Sequence, residues 1–152
     1  MNPLLRLVRF YYTASHWPEY IAPLFDLGLR LFIANVFFKS GLTKIQNWDS
    51  TLYLFNDVYN VPLLPPDIAA YMATSGELGL SVLLALGLFG RFAAAGLFIL
   101  NLVAAISYYG GLSEAGLNQH LYWGISLAVL LIMSRSKWSA DAWLEKRLHK
   151  PE

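Results

Sequence analysis

The stretch FAAAGLFILNLVAAISYY (92–109) contains no charged residue and no proline, and its one carboxamide is Asn101. At a rise of about 1.5 Å per residue, a helix of this length nearly matches the ~30 Å hydrocarbon thickness of a bilayer. Backbone polar groups in lipid must be satisfied within their own segment, so a membrane-spanning helix is the reading. Working outward, three more runs have the same character. The predicted spans are 21–44, 67–90, 92–110 and 119–134, separated by turn signals such as FGR (89–91) and YGGLSEAGLNQH (109–120). The fold class is an all-α membrane protein, a single four-transmembrane-helix bundle over residues 1–152.

Composition agrees. Of 152 residues, 57% are hydrophobic and 14% charged, and the mean hydropathy is +0.46. Soluble domains sit nearer 45–50% apolar and about 25% charged. A net charge of +1 argues against nucleic acid as a partner. The chain has no cysteine, which removes disulfides, iron–sulfur clusters and thiolate metal sites. Arg6 and Arg9 are followed by FYYTASHWPEY (10–20), too polar for the core of a cleavable leader, so the first span is expected to stay as an anchor.

Orientation follows from basic residues in the flanks. Arg6, Arg9, Arg91, Arg135, Lys137, Lys146, Arg147 and Lys150 fall on one side, whereas the opposite loops carry Lys44 beside Asp49, Asp57, Asp67 and Glu114. Both termini are therefore expected on the cytoplasmic side. The segment NWDSTLYLFNDVYNVPLLPP (47–66) reads as interfacial, because Trp48, Tyr53, Phe55 and Tyr59 suit the membrane–water boundary. It serves either as a tethered re-entry loop or as a lid, with Tyr53 and Tyr59 as the lid candidates. KWSADAWLEKRLHK (137–150) reads as an amphipathic helix on the cytoplasmic face, with Ser139 and Asp141 available to cap its start.

Polar side chains inside the spans are costly and mark candidate sites. Counting along the helices puts Arg30 in the first span and Glu77 in the second near the midplane, so an Arg30–Glu77 ion pair is expected, either fixing register or flooring a polar cavity. On the first helix Asp26, Arg30, Gly41 and Lys44 share a stripe, while Asn35 and Lys39 lie opposite; the sequence admits a bundle-facing or a lipid-facing Lys39. Asn101 is expected to bridge helices, and His120 to open the fourth helix at the outer rim. The candidate pocket residues are Arg30, Lys44, Glu77, Asn101 and His120.

Three histidines, His16, His120 and His149, fall on different sides, which argues against bis-histidine haem, and no helix carries paired metal ligands at i,i+3 or i,i+4. No phosphate-binding loop, dinucleotide fingerprint or nucleophile elbow occurs. A quinone requires none of these; an apolar slot with a few polar groups accommodates it.

RLFIANVFFKSGLTK (30–44) and ELGLSVLLALGLFGR (77–91), followed by SADAWL (139–144), resemble the blocks of the DoxX family of small bacterial membrane proteins, with Ala140 replacing a leucine of the last block. The resemblance carries over Arg30, Gly41, Lys44, Glu77, Gly87 and Arg91 as family residues. It implies a four-helix fold and, for some members, membrane oxidoreductase complexes that pass electrons to quinone; the reading of the whole chain is a four-helix inner-membrane protein. STLYLFNDVYNVPLLPPDIAAYMAT (50–74) and NQHLYWG (118–124) are similar to a branch encoded beside bufferin-type peptide-modification systems. Two functions follow as expectations. One is a quinone-linked redox subunit or redox partner with a periplasm-facing pocket. The other is a non-enzymatic binding or assembly partner, met in an operon-encoded peptide-modification or metal-stress system.

Overall fold

The computed structural model describes residues 3–133 and 138–148, and among them the chain is helical with no strand. Helix α1 (Pro3–Ala14) precedes α2 (Trp17–Gln46). A short α3 (Trp48–Tyr53) runs into one π-helical turn (Leu54–Val58), and α4 (Pro66–Leu86), α5 (Gly90–Ser107), α6 (Glu114–Met133) and α7 (Ala140–Leu148) follow. Four stretches, Glu19–Gln46, Pro66–Leu86, Gly90–Ser107 and Glu114–Met133, are long and apolar enough to cross a membrane. They pack as a closed bundle, α2 on α4, α4 on α5, α5 on α6 and α6 back on α2. Ile33, Leu84, Leu97, Leu127 and Leu130 fill its centre, and the buried Ala93 and Ala94 keep α5 close to its neighbours. Ser134, Arg135, Lys137, His149 and Lys150, which entered the sequence reading, lie outside the described residues.

Local chemistry sets the ends. Pro66 starts α4, where its missing N–H costs nothing. Gly87, at φ 66°, ends it in a left-handed turn in which Leu88 N–H reaches Leu83 O at 3.0 Å. Ser113 caps α6 by accepting from Gly116 N–H at 3.1 Å, so this helix begins before the predicted residue 119. His120 therefore lies well inside α6 rather than at its rim. Residues 3–14 carried no predicted element. They form a helix because Leu4, Val8, Tyr11 and Tyr12 fall on one side and Arg6, Arg9 and Thr13 on the other, an amphipathic pattern with its apolar side exposed.

Gly41 fixes the register of α2 against α4. A Cβ there would lie 2.7 Å from Leu78 Cγ and 3.3 Å from Glu77 Cβ, so the two helices meet at that point. Gly41 is thus level with Glu77, close to the middle of α4. Farther back along α2, Arg30 reaches the Gly87 turn, where Gly87 leaves just enough room for Nη1. Arg30 Nε donates to Asp26 Oδ2 at 2.9 Å and Nη2 to the Trp138 carbonyl at 2.7 Å. Asp141 completes the junction. Its carboxylate accepts from Phe89 N–H (2.9 Å) and Gly90 N–H (3.0 Å), capping α5, while Ser139 Oγ caps α7 through Ala142 N–H at 3.2 Å. One end of the bundle is therefore latched to α7, and the other is covered by α3 and the π turn.

Candidate functional site

Under the α3 cover lies a cavity of about 400 Å³, bounded by α2, α4, α5 and α6. Its walls are largely apolar and aromatic, with Phe55, Tyr59, Leu100, Val103, Tyr108 and Trp123 prominent. Tyr59 meets Phe55 and Tyr108 edge-on, at centroid distances of 5.2 and 5.3 Å, so three rings form one continuous wall. Met72 on α4 and Ile99 on α5 line the cavity and are exposed on the outer face of the bundle, which gives it a side between these helices.

The cover is built from α3 outward. Asn47 Oδ1 accepts from Ser50 N–H at 3.2 Å and starts α3, and Thr51 Oγ1 ties it to the end of α2 through the Lys44 carbonyl at 3.0 Å. Phe55 then packs on the small residues Ala69 and Ala70 of α4, and Asn60 N–H donates to the Ser107 carbonyl at 2.9 Å. Cover and α5 are thus joined directly.

Lys44 and Glu77 make the first polar contact of the floor. Lys44 Nζ donates to Glu77 Oε1 (2.9 Å), Glu77 Oε2 (2.8 Å) and Ser40 Oγ (2.9 Å). An ammonium has three N–H bonds, and all three are used. Lys44 therefore neutralises Glu77 and has no donor left for a ligand. The expected Arg30–Glu77 pair does not form. Arg30 sits level with Gly87, ten residues of α4 from Glu77, or roughly 15 Å. The reason is the length of α2, which extends well before residue 21 and places Arg30 at the latched end. Arg30 does not line the cavity.

His120 and Asn101 make the second contact. Asn101 Nδ2 donates to the His120 carbonyl at 2.9 Å, which turns Asn101 Oδ1 to the ring, 2.9 Å from Nδ1. Nδ1 must then carry the proton, because the reversed amide would set Asn101 Oδ1 against the His120 carbonyl, two acceptors facing each other. Nε2 is left as an acceptor, with no hydrogen-bond partner among the described residues. His120 lines the cavity and packs edge-on against Trp123 at 5.2 Å. The Tyr59 and Tyr108 hydroxyls likewise make no hydrogen bond among the described residues. Burial pushes the Tyr59 phenol above its ordinary range, and the neighbouring Tyr108 and Glu77 add to the rise.

Of the residues singled out from sequence, the fold brings Lys44 and His120 to one cavity, with Glu77 behind Lys44 and Asn101 behind His120. Tyr59 joins its wall. Tyr53 does not: it is 61% exposed and points away, and Phe55 takes the covering position. Tyr108 and Trp123 line the cavity as well, and neither carries a charge that would mark it within an apolar span. Trp123 carried a spacing signal, one turn from His120. No group of three or more His, Asp or Glu side chains that could hold a metal occurs among the described residues.

The sequence profile of the DoxX family matches residues 25–110. That range holds the Gly41–Lys44–Glu77 contact, the Arg30–Gly87 junction and Asn101, and it ends before His120. No curated protein and no solved structure matches the chain. With four helices able to cross a bilayer, the match makes this a multi-pass membrane protein.

Proposed function

The chain belongs to the DoxX family, and from that premise we propose a quinone-binding redox subunit or redox partner of the bacterial inner membrane, with both termini cytoplasmic and the cavity on the periplasmic half. One observation carries the reading: an aromatic cavity of about 400 Å³ beneath the α3 cover presents an unpaired imidazole acceptor and two phenol hydroxyls. That volume lies within the ~300–1,000 Å³ of small-molecule sites, and an apolar wall with few polar groups is their usual make-up. The roles follow from donor accounting. A Tyr59 or Tyr108 hydroxyl donates to a quinone carbonyl. His120 Nε2 accepts from a quinol hydroxyl and can take its proton, with Asn101 holding the ring in the required tautomer. The Lys44–Glu77 pair keeps the floor polar and neutral rather than touching the ligand. The side between Met72 and Ile99 suits a ligand that arrives from lipid.

Purification in native lipid, organic extraction and mass spectrometry test the proposal. A quinone near one per chain, lost in His120→Ala and in Tyr59→Phe/Tyr108→Phe, is the expected result. Protein that is empty, or equally loaded in these variants, would refute it. A non-enzymatic partner role in a peptide-modification or metal-stress system is the second reading. It is favoured by polar side chains that α2 turns to the outside of the bundle.

A further inference from the structure

The outer face of α2 and α4 carries a second feature, unconnected with the cavity. A groove of about 300 Å³ runs between these helices, floored by Ala34, Ser81 and Ala85 and edged by the exposed Leu31, Phe38 and Val82. Asn35 lies in it, exposed, and Lys39 follows one turn on along the same side of α2, also exposed. Neither side chain has a hydrogen-bond or ion-pair partner among the described residues.

Depth makes this unusual. Gly41 meets α4 at Glu77, so Lys39 is about 3 Å closer still to the α7 end, level with the middle of α4. From that level the α7 end of α4 is roughly 10 Å away and the covered end roughly 20 Å, each farther than a lysine side chain reaches. Helix side chains lean toward the helix N-terminus, which for α2 is the α7 end, so Lys39 leans toward the nearer end of α4. The ammonium still falls short of that end, in contrast to lysines near span ends, which snorkel to water. An ammonium and a carboxamide facing lipid at mid-depth need protein partners, and small residues flooring a groove let another helix backbone approach.

We propose that this groove seats a transmembrane helix of a different protein, one that presents an Asp or Glu to Lys39 and a hydrogen-bonding side chain to Asn35. Charge selects this occupant over a second copy of the chain. In a parallel symmetric pair the two Asn35 amides are complementary, but the Lys39 ammoniums one turn away repel each other in a low-dielectric setting.

A photo-crosslinking residue at Phe38, in the native membrane, tests the assignment. The expected adduct joins this chain to a protein, identified by mass spectrometry, that has an Asp or Glu within a transmembrane helix. Lys39→Ala should lower its yield about tenfold or more, and Lys39→Arg should preserve it. Lys39→Glu should abolish the adduct, and changing the partner's acid to Lys should restore it. Each Lys39 variant should melt in detergent like the parent, because the side chain faces away from the bundle. An adduct of twice the chain mass, lipid adducts alone, no adduct, a yield indifferent to Lys39→Ala, or a lowered melting temperature would each overturn the proposal. Loss of quinone binding bears on the cavity alone.

Discussion

Lys44 is the residue on which the interior electrostatics turn, since it satisfies Glu77 with both carboxylate oxygens at mid-bundle. Removing one member of such a pair leaves an uncompensated buried charge, typically a loss of about 3–5 kcal/mol. Lys44→Met and Glu77→Gln should each lower the detergent melting temperature substantially. The double variant Lys44→Met/Glu77→Leu should recover most of the loss. Arg30 and Glu77, at roughly 15 Å, should instead show additive effects. A strong Arg30–Glu77 coupling would contradict the observed register. Tyr59 gives a pH test. Its folded-state pKa is raised above the ordinary tyrosine value of about 10, so the folded protein holds that proton more tightly than the unfolded chain. The associated stability is present below about pH 10 and is lost as pH rises through the higher folded value. Melting curves above about pH 10 should fall less steeply for Tyr59→Phe than for the parent. Parallel curves would show that Tyr59 is not buried as described.

At the scale of elements, the latch between α2, the Gly87 turn and α7 is the most specific device in the fold. Gly87 combines a left-handed φ with close contact to Arg30 and Ser139, so Gly87→Ala is strained on both counts. It should destabilise the bundle by roughly 1–3 kcal/mol, the usual range for a residue held in a disfavoured backbone region. Asp141→Ala should remove the α5 cap, a loss of about 1 kcal/mol, and speed proteolysis within α7. A melting temperature unchanged by Gly87→Ala would rule the latch out. Hydropathy made the four spans legible, because lipid rewards apolar length directly. It misplaced their ends where polar residues continue a helix. Asp26 and Arg30 weakened the first span's apparent start, although α2 simply continues to Trp17 and carries Arg30 with it. Tyr53 and Phe55 stand two residues apart, about 200° around a helix. Only one can face the bundle, and both rings suit an interface equally, so sequence could not choose between them.

For the whole molecule, five of the six residues carried over by the resemblance fall in two places: Gly41, Lys44 and Glu77 where α2 meets α4 beneath the cavity, and Arg30 and Gly87 at the latch. Arg91, exposed at the start of α5, joins neither. Sequence supplied the polar residues because charge within an apolar span is conspicuous. It could not supply their pairing, which depends on the register of α2 on α4. Contacts to backbone, such as Arg30 to the Trp138 carbonyl and Asn101 to the His120 carbonyl, leave no trace in residue type. Orientation remains a matter of flanking charge. A C-terminal phosphatase fusion should be inactive and a cytoplasmic reporter active, and the opposite pattern would invert the proposed topology. The central claim, a quinone in the covered cavity, is tested most directly by photolabelling the protein in lipid nanodiscs with an azido-quinone and mapping the modified peptides. Label on Tyr59, Tyr108 or Trp123, competed by unlabelled quinone and lost in His120→Ala, is the expected result. Label confined to outward-facing residues such as Leu102 and Ile106, or insensitive to competitor, would contradict it.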